Sequence, residues 1–314
     1  MPYRLDSRER VGPGLRRCAR EQLDSAIDEL TDGVRTDPVE AVHSARKALK
    51  KERSLLRLSR GTLATGDRRR ENDALRHAGR QMSAARDAEV MIQALDDLSD
   101  RFAGQVPMQP FTAIREQLIA ERDPMRASLL DSGVTREVAD ELKAVRGRID
   151  EWHLRHGGWR AVEPGLDRSY RRGRAAFDRA QADSTVENLH EWRKRTKDLW
   201  YHLRVLAPTS PGIMGGQAKD AHRLGDILGD DHDLAVLRER LGDLAGSITA
   251  DLDPVFGLVD HRRDQLQQEA LLLGRRLYAE KLGAFGRRVH RYWKAWRREA
   301  RAAGAPRPTA PALG

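Results

Sequence analysis

Two segments of the chain carry residue types that could grip phosphate. Residues 37–57 read DPVEAVHSARKALKKERSLLR, and residues 184–204 read STVENLHEWRKRTKDLWYHLR. Setting His43 on His190 places Arg46 on Arg193, Lys47 on Lys194, Lys50 on Lys197 and Arg57 on Arg204, all at one constant offset. On a helix of 3.6 residues per turn these five positions form one stripe, about 15–20 Å long. Val39, Val42, Leu49 and Leu56, like Val186, Leu189 and Leu203, fall largely on another face, so each helix can bury one side and present cations on the other. Like charges one turn apart repel by a few tenths of a kcal/mol per pair. The acids within reach are few: Glu52 in one segment, Glu191 and Asp198 in the other. Such a row is expected to hold an anion, and its length suits an extended polyanion better than a single small phosphate. Arginine forks phosphate oxygens, while lysine acts as a point charge. A histidine among cations is expected to resist protonation until a bound phosphate restores it, which would make the contact sensitive to pH.

Two further blocks repeat in the same order. PGLRRCAREQLD at 13–24 resembles PGLDRSYRRGRAAFD at 164–178, with Arg17 on Arg168 and Arg20 on Arg171. GRQMSAARDAEVMIQAL at 79–95 matches GDILGDDHDLAVLRERL at 225–241, with Asp87 on Asp233. The expected organisation is therefore two related halves, 1–160 and 161–302, followed by a flexible tail at 303–314. Arg172 and Arg174 would flank the second stripe, and Arg53, Arg86 and His222 complete the candidate set. The halves differ in places: Arg53 falls on Trp200, Arg80 on Asp226 and Arg86 on His232. Asp230-Asp231-His232-Asp233 has the look of the His-Asp pair of metal-dependent phosphohydrolases. The arginine opposite His232 cannot ligate a metal, however, so no metal and no cofactor is expected. Phosphate-loop, dinucleotide-binding and serine-hydrolase signatures are missing. Cys18 falls on Ser169, which argues against a nucleophile. Trp192, Trp200, Trp293 and Trp296 read as packing residues.

The elements that must carry these residues are helical. Apolar residues recur at steps of three and four, with good helix formers between them. Ten helices are expected, near 13–33, 37–60, 67–98, 109–130, 134–154, 165–182, 184–207, 212–245, 253–273 and 278–302. Asp37 with Glu40, and Ser184 with Glu187, read as capping boxes. Asp37-Pro38, Asp123-Pro124 and Asp253-Pro254 read as helix starts. Across 314 residues, 57 Lys+Arg against 48 Asp+Glu leave a net charge of +9. That balance points to a polyanionic partner or to compositional bias. One cysteine excludes an internal disulfide and agrees with a reduced cytoplasm. Neither a secretory signal nor a membrane span is expected.

The HxxRKxxK helix, present as HSARKALK and HEWRKRTK, followed by ARDAEVM and DDHDLAVL, resembles the CHAD domain, the conserved histidine α-helical domain. The resemblance covers about residues 10–300. It implies an all-α fold of two four-helix-bundle-like halves with pseudo-twofold symmetry around a basic central groove. It further implies binding of inorganic polyphosphate without catalysis, and association with polyphosphate granules. Many relatives also carry a triphosphate-tunnel domain with an ExExK motif, which this sequence lacks, so a stand-alone binding module is expected. A nucleic-acid-binding protein using the same groove remains the alternative, and a metal-dependent phosphohydrolase a weaker one.

Overall fold

The computed structural model describes residues 3–82, 84–131 and 133–304; the side chains of 84–87, 128–131, 303 and 304 lie outside the description. Among the described residues there are eleven α-helices and no strand, only an isolated bridge between Leu63 and Leu154. They are α1 (Val11–Thr31), α2 (Pro38–Leu58), α3 (Thr65–Gln81), α4 (Ala84–Arg101), α5 (Gln109–Asp131) and α6 (Val134–Gly147), then α7 (Glu163–Ala182), α8 (Val186–Leu206), α9 (Pro211–Leu244), α10 (Asp253–Leu277) and α11 (Leu282–Gly304). The all-α expectation holds. No helix among the described residues is long and apolar enough to cross a membrane.

Helix α1 packs on α2 and α6, α7 on α8 and α11, and α9 on both α8 and α10. Contacts of α2 with α7 and α8, and of α4 with α9, join the earlier helices to the later ones. Buried apolar residues from Tyr3 to Trp293 form a single cluster. The aliphatic rows of each amphipathic helix supply it, with Leu15, Leu23, Leu55, Leu199 and Leu203 fully shielded from solvent.

Several boundaries differ from the sequence expectation for local reasons. The helix expected over 67–98 is two, α3 and α4. Arg46 donates to the carbonyls of Gly79 and Met82 at 3.1 and 2.7 Å, satisfying acceptors that an ending helix leaves open. In α9 the chain runs through without interruption. Asp37 caps α2 as expected, accepting from the backbone N–H groups of Val39 and Glu40 at 3.1 Å each. The cap of α8 is Thr185, which accepts from Asn188 N at 3.3 Å, while the Ser184 hydroxyl turns back to the Ala180 carbonyl. Asp123-Pro124 lies inside α5; the Asp123 carboxylate is taken by Arg122 at 2.7 Å instead of capping a helix. Asp253 opens α10 without a side-chain cap. α11 runs to Gly304, two residues into the tail expected at 303–314; residues 305–314 lie outside the described residues.

One core group is costly. Glu52 on α2 is fully buried, and neither carboxyl oxygen has a hydrogen-bond partner. Burial, then the nearby Glu71 carboxylate, pushes its pKa up to about 8. Glu71 is itself buried but is held by Arg148 at 2.6 Å and Arg70 at 2.9 Å. Glu52 keeps its proton in the folded chain and loses it near the ordinary carboxylate value when unfolded. Its contribution is therefore intact at low pH and declines as pH rises toward 8. Urea melts are expected to show wild-type stability falling by a few kcal/mol between pH 5 and 8 relative to Glu52→Gln. Parallel pH profiles for the two proteins would count against a neutral buried Glu52.

Candidate functional site

The site is built where α2 crosses α8. Two cationic helices meet there because polar groups fill the contact. His202 of α8 is fully buried, and burial lowers its pKa to about 4, so the ring is neutral. Its Nε2 lies 2.9 Å from the Ser54 carbonyl of α2 and must donate, since a carbonyl only accepts. The Ser54 hydroxyl donates to the Asp198 carbonyl at 3.4 Å, and Arg57 donates to the Asp198 carboxylate at 2.9 Å. Asp198 also receives Arg195 at 3.3 Å. Glu191, two turns earlier on the same face, receives Arg195 at 2.7 Å and the more distant Arg172 at 3.5 Å.

Helix α7 is brought in by a glycine. A Cβ on Gly165 would collide with the carbonyl oxygens of Arg57 and Leu58, so only glycine lets α7 dock on the C-terminal end of α2. One and two turns further on, Arg168 and Arg172 then enter the field of α2. The Arg60 guanidinium is pressed below its usual value by burial and then by Arg68, Arg168, Arg172 and Arg57. Arg68 feels Arg69, Arg168 and Arg57 in the same sense, after burial. Arg172 is lowered by burial, then by Arg195, against a smaller pull from Glu191. Arginine stays charged at any ordinary pH, so these directions report burial first and then mutual crowding, which Asp198 on Arg57 and Glu191 on Arg172 relieve only in part. Two unit charges 4 Å apart repel by about 1 kcal/mol even in bulk water, and more beside protein. Arg60, Arg168 and Arg172 are exposed.

The other side of the crossing gathers Lys47, Lys51 and Arg204. Burial, then Arg204 and Lys47, lowers the Lys51 pKa. Arg204 lies over the rings of Trp200 and Tyr3, at 5.2 and 5.9 Å, and Lys197 lies over Trp200 at 4.8 Å. Asp226, which stands where the first half has Arg80, pairs with Lys197 at 2.8 Å and with His222. At the N-terminal end of α8, His190 packs on His232 with ring centroids 4.1 Å apart and planes tilted by 35°. Burial, and only then His232, Lys194 and Arg193, lowers the His190 pKa to about 4. The neutral state expected from the sequence is there, but desolvation is its first cause and the cations add to it.

Several candidates are committed to internal partners. Arg17 holds Glu9 at 2.6 Å, Glu21 at 3.0 Å and the Arg4 carbonyl at 2.9 Å. Arg20 pairs with Asp150, and Arg174 donates to the Glu280 carbonyl at 3.1 Å. Arg46 caps α3 as described. Arg193 lies over Gly229 and 3.9 Å from Asp233. Arg53 donates to Asn72 at 3.3 Å. Lys47, Lys50, Arg168, Arg171, Arg172 and Lys194 are exposed, with Lys194 4.0 Å from Glu191; His43 is half-buried. The Arg86 side chain lies outside the described residues. Arg60, Arg68 and Arg195 were missed by sequence reasoning. Arg60 and Arg68 fall outside the repeated blocks, and Arg195 falls between the stripe positions.

The metal reading finds no support in the donor set. The Asp-Asp-His-Asp run turns 100° per residue around α9 and scatters. Asp231 is buried against Arg263 and Gln267 at 3.1 and 2.9 Å, His232 lies on His190, and Asp233 faces Arg193. Asp230 lines a cavity of about 610 Å³ between α4, α9 and α10. Burial and then Asp233 push its pKa up to about 6. No group of three His, Cys, Asp or Glu suited to a metal is found among the described residues. Cys18 is buried, and its thiol is pushed up to about 12, out of nucleophilic range.

Residues 17–242, from α1 almost to the end of α9, match the CHAD domain. The chain belongs to the CHAD domain family. Two Mycobacterium tuberculosis relatives, the uncharacterized proteins MT2285 of strain CDC 1551 and Rv2226 of strain H37Rv, are each 30% identical over 248 residues. That match takes in 72% of this chain but 44% of either relative, so the chain spans less than half their length. The fold is similar to PptA from Streptomyces chartreusis, with a TM-score of 0.58 at 14% identity over 86% of this chain and 98% of that one. CHAD membership is consistent with polyphosphate binding as the general function of the family. Helices α10 and α11 lie beyond the CHAD match.

Two measurements check this geometry. Imidazole NMR of the free protein is expected to place the His190 titration near pH 4; a value at the ordinary 6.5 would mean that the ring is not packed on His232. Gly165→Ala is expected to lower stability by about 1–3 kcal/mol, since a methyl group must displace the backbone of α2 or α7. A neutral result would show that α7 does not approach α2 this closely.

Proposed function

We propose that the cationic face formed by α2, α7 and α8, with Arg60 and Arg68 beside it, binds inorganic polyphosphate without turning it over. The observation that carries this reading is the crowding of Arg57, Arg60, Arg68, Arg168 and Arg172 around the α2 terminus, where, among the described residues, Asp198 and Glu191 are the only carboxylates their ion pairs recruit. A phosphate chain supplies a charge at every unit and is flexible enough to follow both sides of the α2–α8 crossing. The two stripes then act as walls of one groove related by pseudo-twofold symmetry, and long polymer draws the protein to polyphosphate granules. His43 and His190 add proton-dependent contacts at the N-terminal ends of the stripes.

The rings near these cations, Trp192 and Trp200, are buried, so the face offers no platform for stacked bases. That weighs against single-stranded nucleic acid. The scattered donors on α9 weigh against a metal-dependent hydrolase.

A competition titration tests the reading. Polyphosphate is expected to displace duplex DNA and RNA at equal phosphate concentration. Arg60→Gln with Arg168→Gln is expected to weaken polyphosphate binding about tenfold or more and to flatten the salt slope by about 1.4. The same change away from the face, at half-buried Arg126 and exposed Arg136 (Arg126→Gln with Arg136→Gln), is expected to do little. Equal losses from both pairs would mean diffuse charge and no groove. Because a bound polyanion lifts the His190 pKa from about 4, binding takes up a proton, and affinity rises as pH falls through the bound-state value. Calorimetry in buffers of different ionisation enthalpy reads that uptake directly.

A further inference from the structure

The last helix carries a second basic surface of a different kind. α11 holds seven Lys and Arg against one acid, Glu299, a net of +6 in a chain whose total is +9. Composition does not explain this. Its neighbour in sequence, α10, has four basic and four acidic residues and no net charge.

Two of the seven are structural. Arg288 pairs with Glu280 at 2.5 Å, and Arg297 donates to the carbonyls of Ser7 and Glu9 at 2.7 and 2.8 Å, tying the N-terminal segment to the helix. The other five, Arg287, Arg291, Lys294, Arg298 and Arg301, are all exposed, and none forms an ion pair with a described residue. Their steps are four, three, four and three residues, which keeps them within about 80° of one another around the axis and spreads them over about 21 Å. The opposite face is fully used. Phe285 and Val289 are completely buried, Trp293 nearly so, and His290 stacks on Trp159 at 5.1 Å.

The geometry points to α11 as a second, open track for the same phosphate polymer, an inference that rests on the polyphosphate reading above. Three features select a flexible polyanion strand. The line of charge is straight, with about one cation per 5 Å, whereas duplex phosphates wind away from a straight helix. Phe285, Val289 and Trp293 point inward, so no apolar face remains to enter a bilayer. Tyr292 and Trp296 are half-buried and have Arg288 and Arg297 over their rings at 5.8 and 6.0 Å, which leaves little open ring for base stacking. The track also differs from the α2–α8 face in kind: its cations are exposed and unpaired, while many of those on α2 and α8 are half-buried and held by carboxylates or carbonyls. A chain long enough to reach both surfaces gains by avidity, and a short one does not. α11 would thus set a preference for long polymer.

The test compares two probe lengths at several salt concentrations: a polyphosphate just long enough to span one stripe, about 20 Å, and a long-chain polymer. The variant replaces Arg287, Arg291, Lys294 and Arg298 with Gln, all exposed positions in a helix that glutamine favours. An unchanged thermal midpoint shows that it folds. It is expected to keep short-chain affinity within about twofold, to lose about tenfold on long chains, and to lower the long-chain salt slope by about 3. A parallel loss on both probes would make α11 part of a single site and overturn the proposal. No loss on either would show that the stripe does not touch polymer. Arg60→Gln with Arg168→Gln separates the two readings, because it should weaken both probes. If wild type bound neither probe, the polyphosphate reading itself would fail and this one with it. Loss of duplex DNA or anionic-vesicle binding in the α11 variant, with long-chain polyphosphate unaffected, would assign the surface to that other partner.

Discussion

The crossing of α2 over α8 is the constraint on which the arrangement depends. Each helix carries a row of cations, and two such rows repel. They meet because the contact itself is made of neutral or opposite groups: a buried uncharged His202, the Ser54 hydroxyl and carbonyl, and an Asp198 carboxylate shared by Arg57 and Arg195. Burial keeps His202 neutral, which lets it serve as a donor between positive helices without adding charge. Gly165 then brings α7 against the end of α2 and raises the local density of arginine further. Packing energy from the apolar core holds together charges that would otherwise separate.

The cations divide into two populations. Arg20, Arg46 and Arg174 are spent on a carboxylate and on carbonyls from distant parts of the chain, and Arg17 on the nearby Glu9 and Glu21. Arg60, Arg168 and Arg172 crowd one another at the surface. The division is not equal in the two halves. Arg46 closes the end of α3, while its counterpart Arg193 meets a continuous α9 through Gly229 and Asp233. The same guanidinium position therefore ends a helix in one half and lies along one in the other.

Charge is sorted at a larger scale as well. α10 balances its acids and bases, α11 does not, and acids such as Asp97, Asp100 and Asp230 collect at the cavity beside α10. Glu52 is the exception: it sits inside the core next to the cationic face and keeps its proton to do so. A modest net charge thus conceals surfaces of strongly unequal potential, which is what a polyanion senses on approach.

Local features were legible in the sequence because they depend on spacing along one helix. The stripes on α2 and α8, the Asp37 cap and the helical character follow from periods of three and four residues and from the chemistry of a helix start. The break between α3 and α4 was not legible, because the group that ends α3 is Arg46, thirty-odd residues away in sequence. Nor were Arg60, Arg68 and Arg195 visible as neighbours of the stripe, since a close backbone approach at Gly165 brings α7 beside them. The residue types and their order thus determined a helical chain with two cationic faces and its family. Only the tertiary structure decided which cations stay available, because a guanidinium is committed by whichever carboxylate or carbonyl folding places within hydrogen-bond reach, and for Arg20, Arg46, Arg57 and Arg174 those partners come from remote segments.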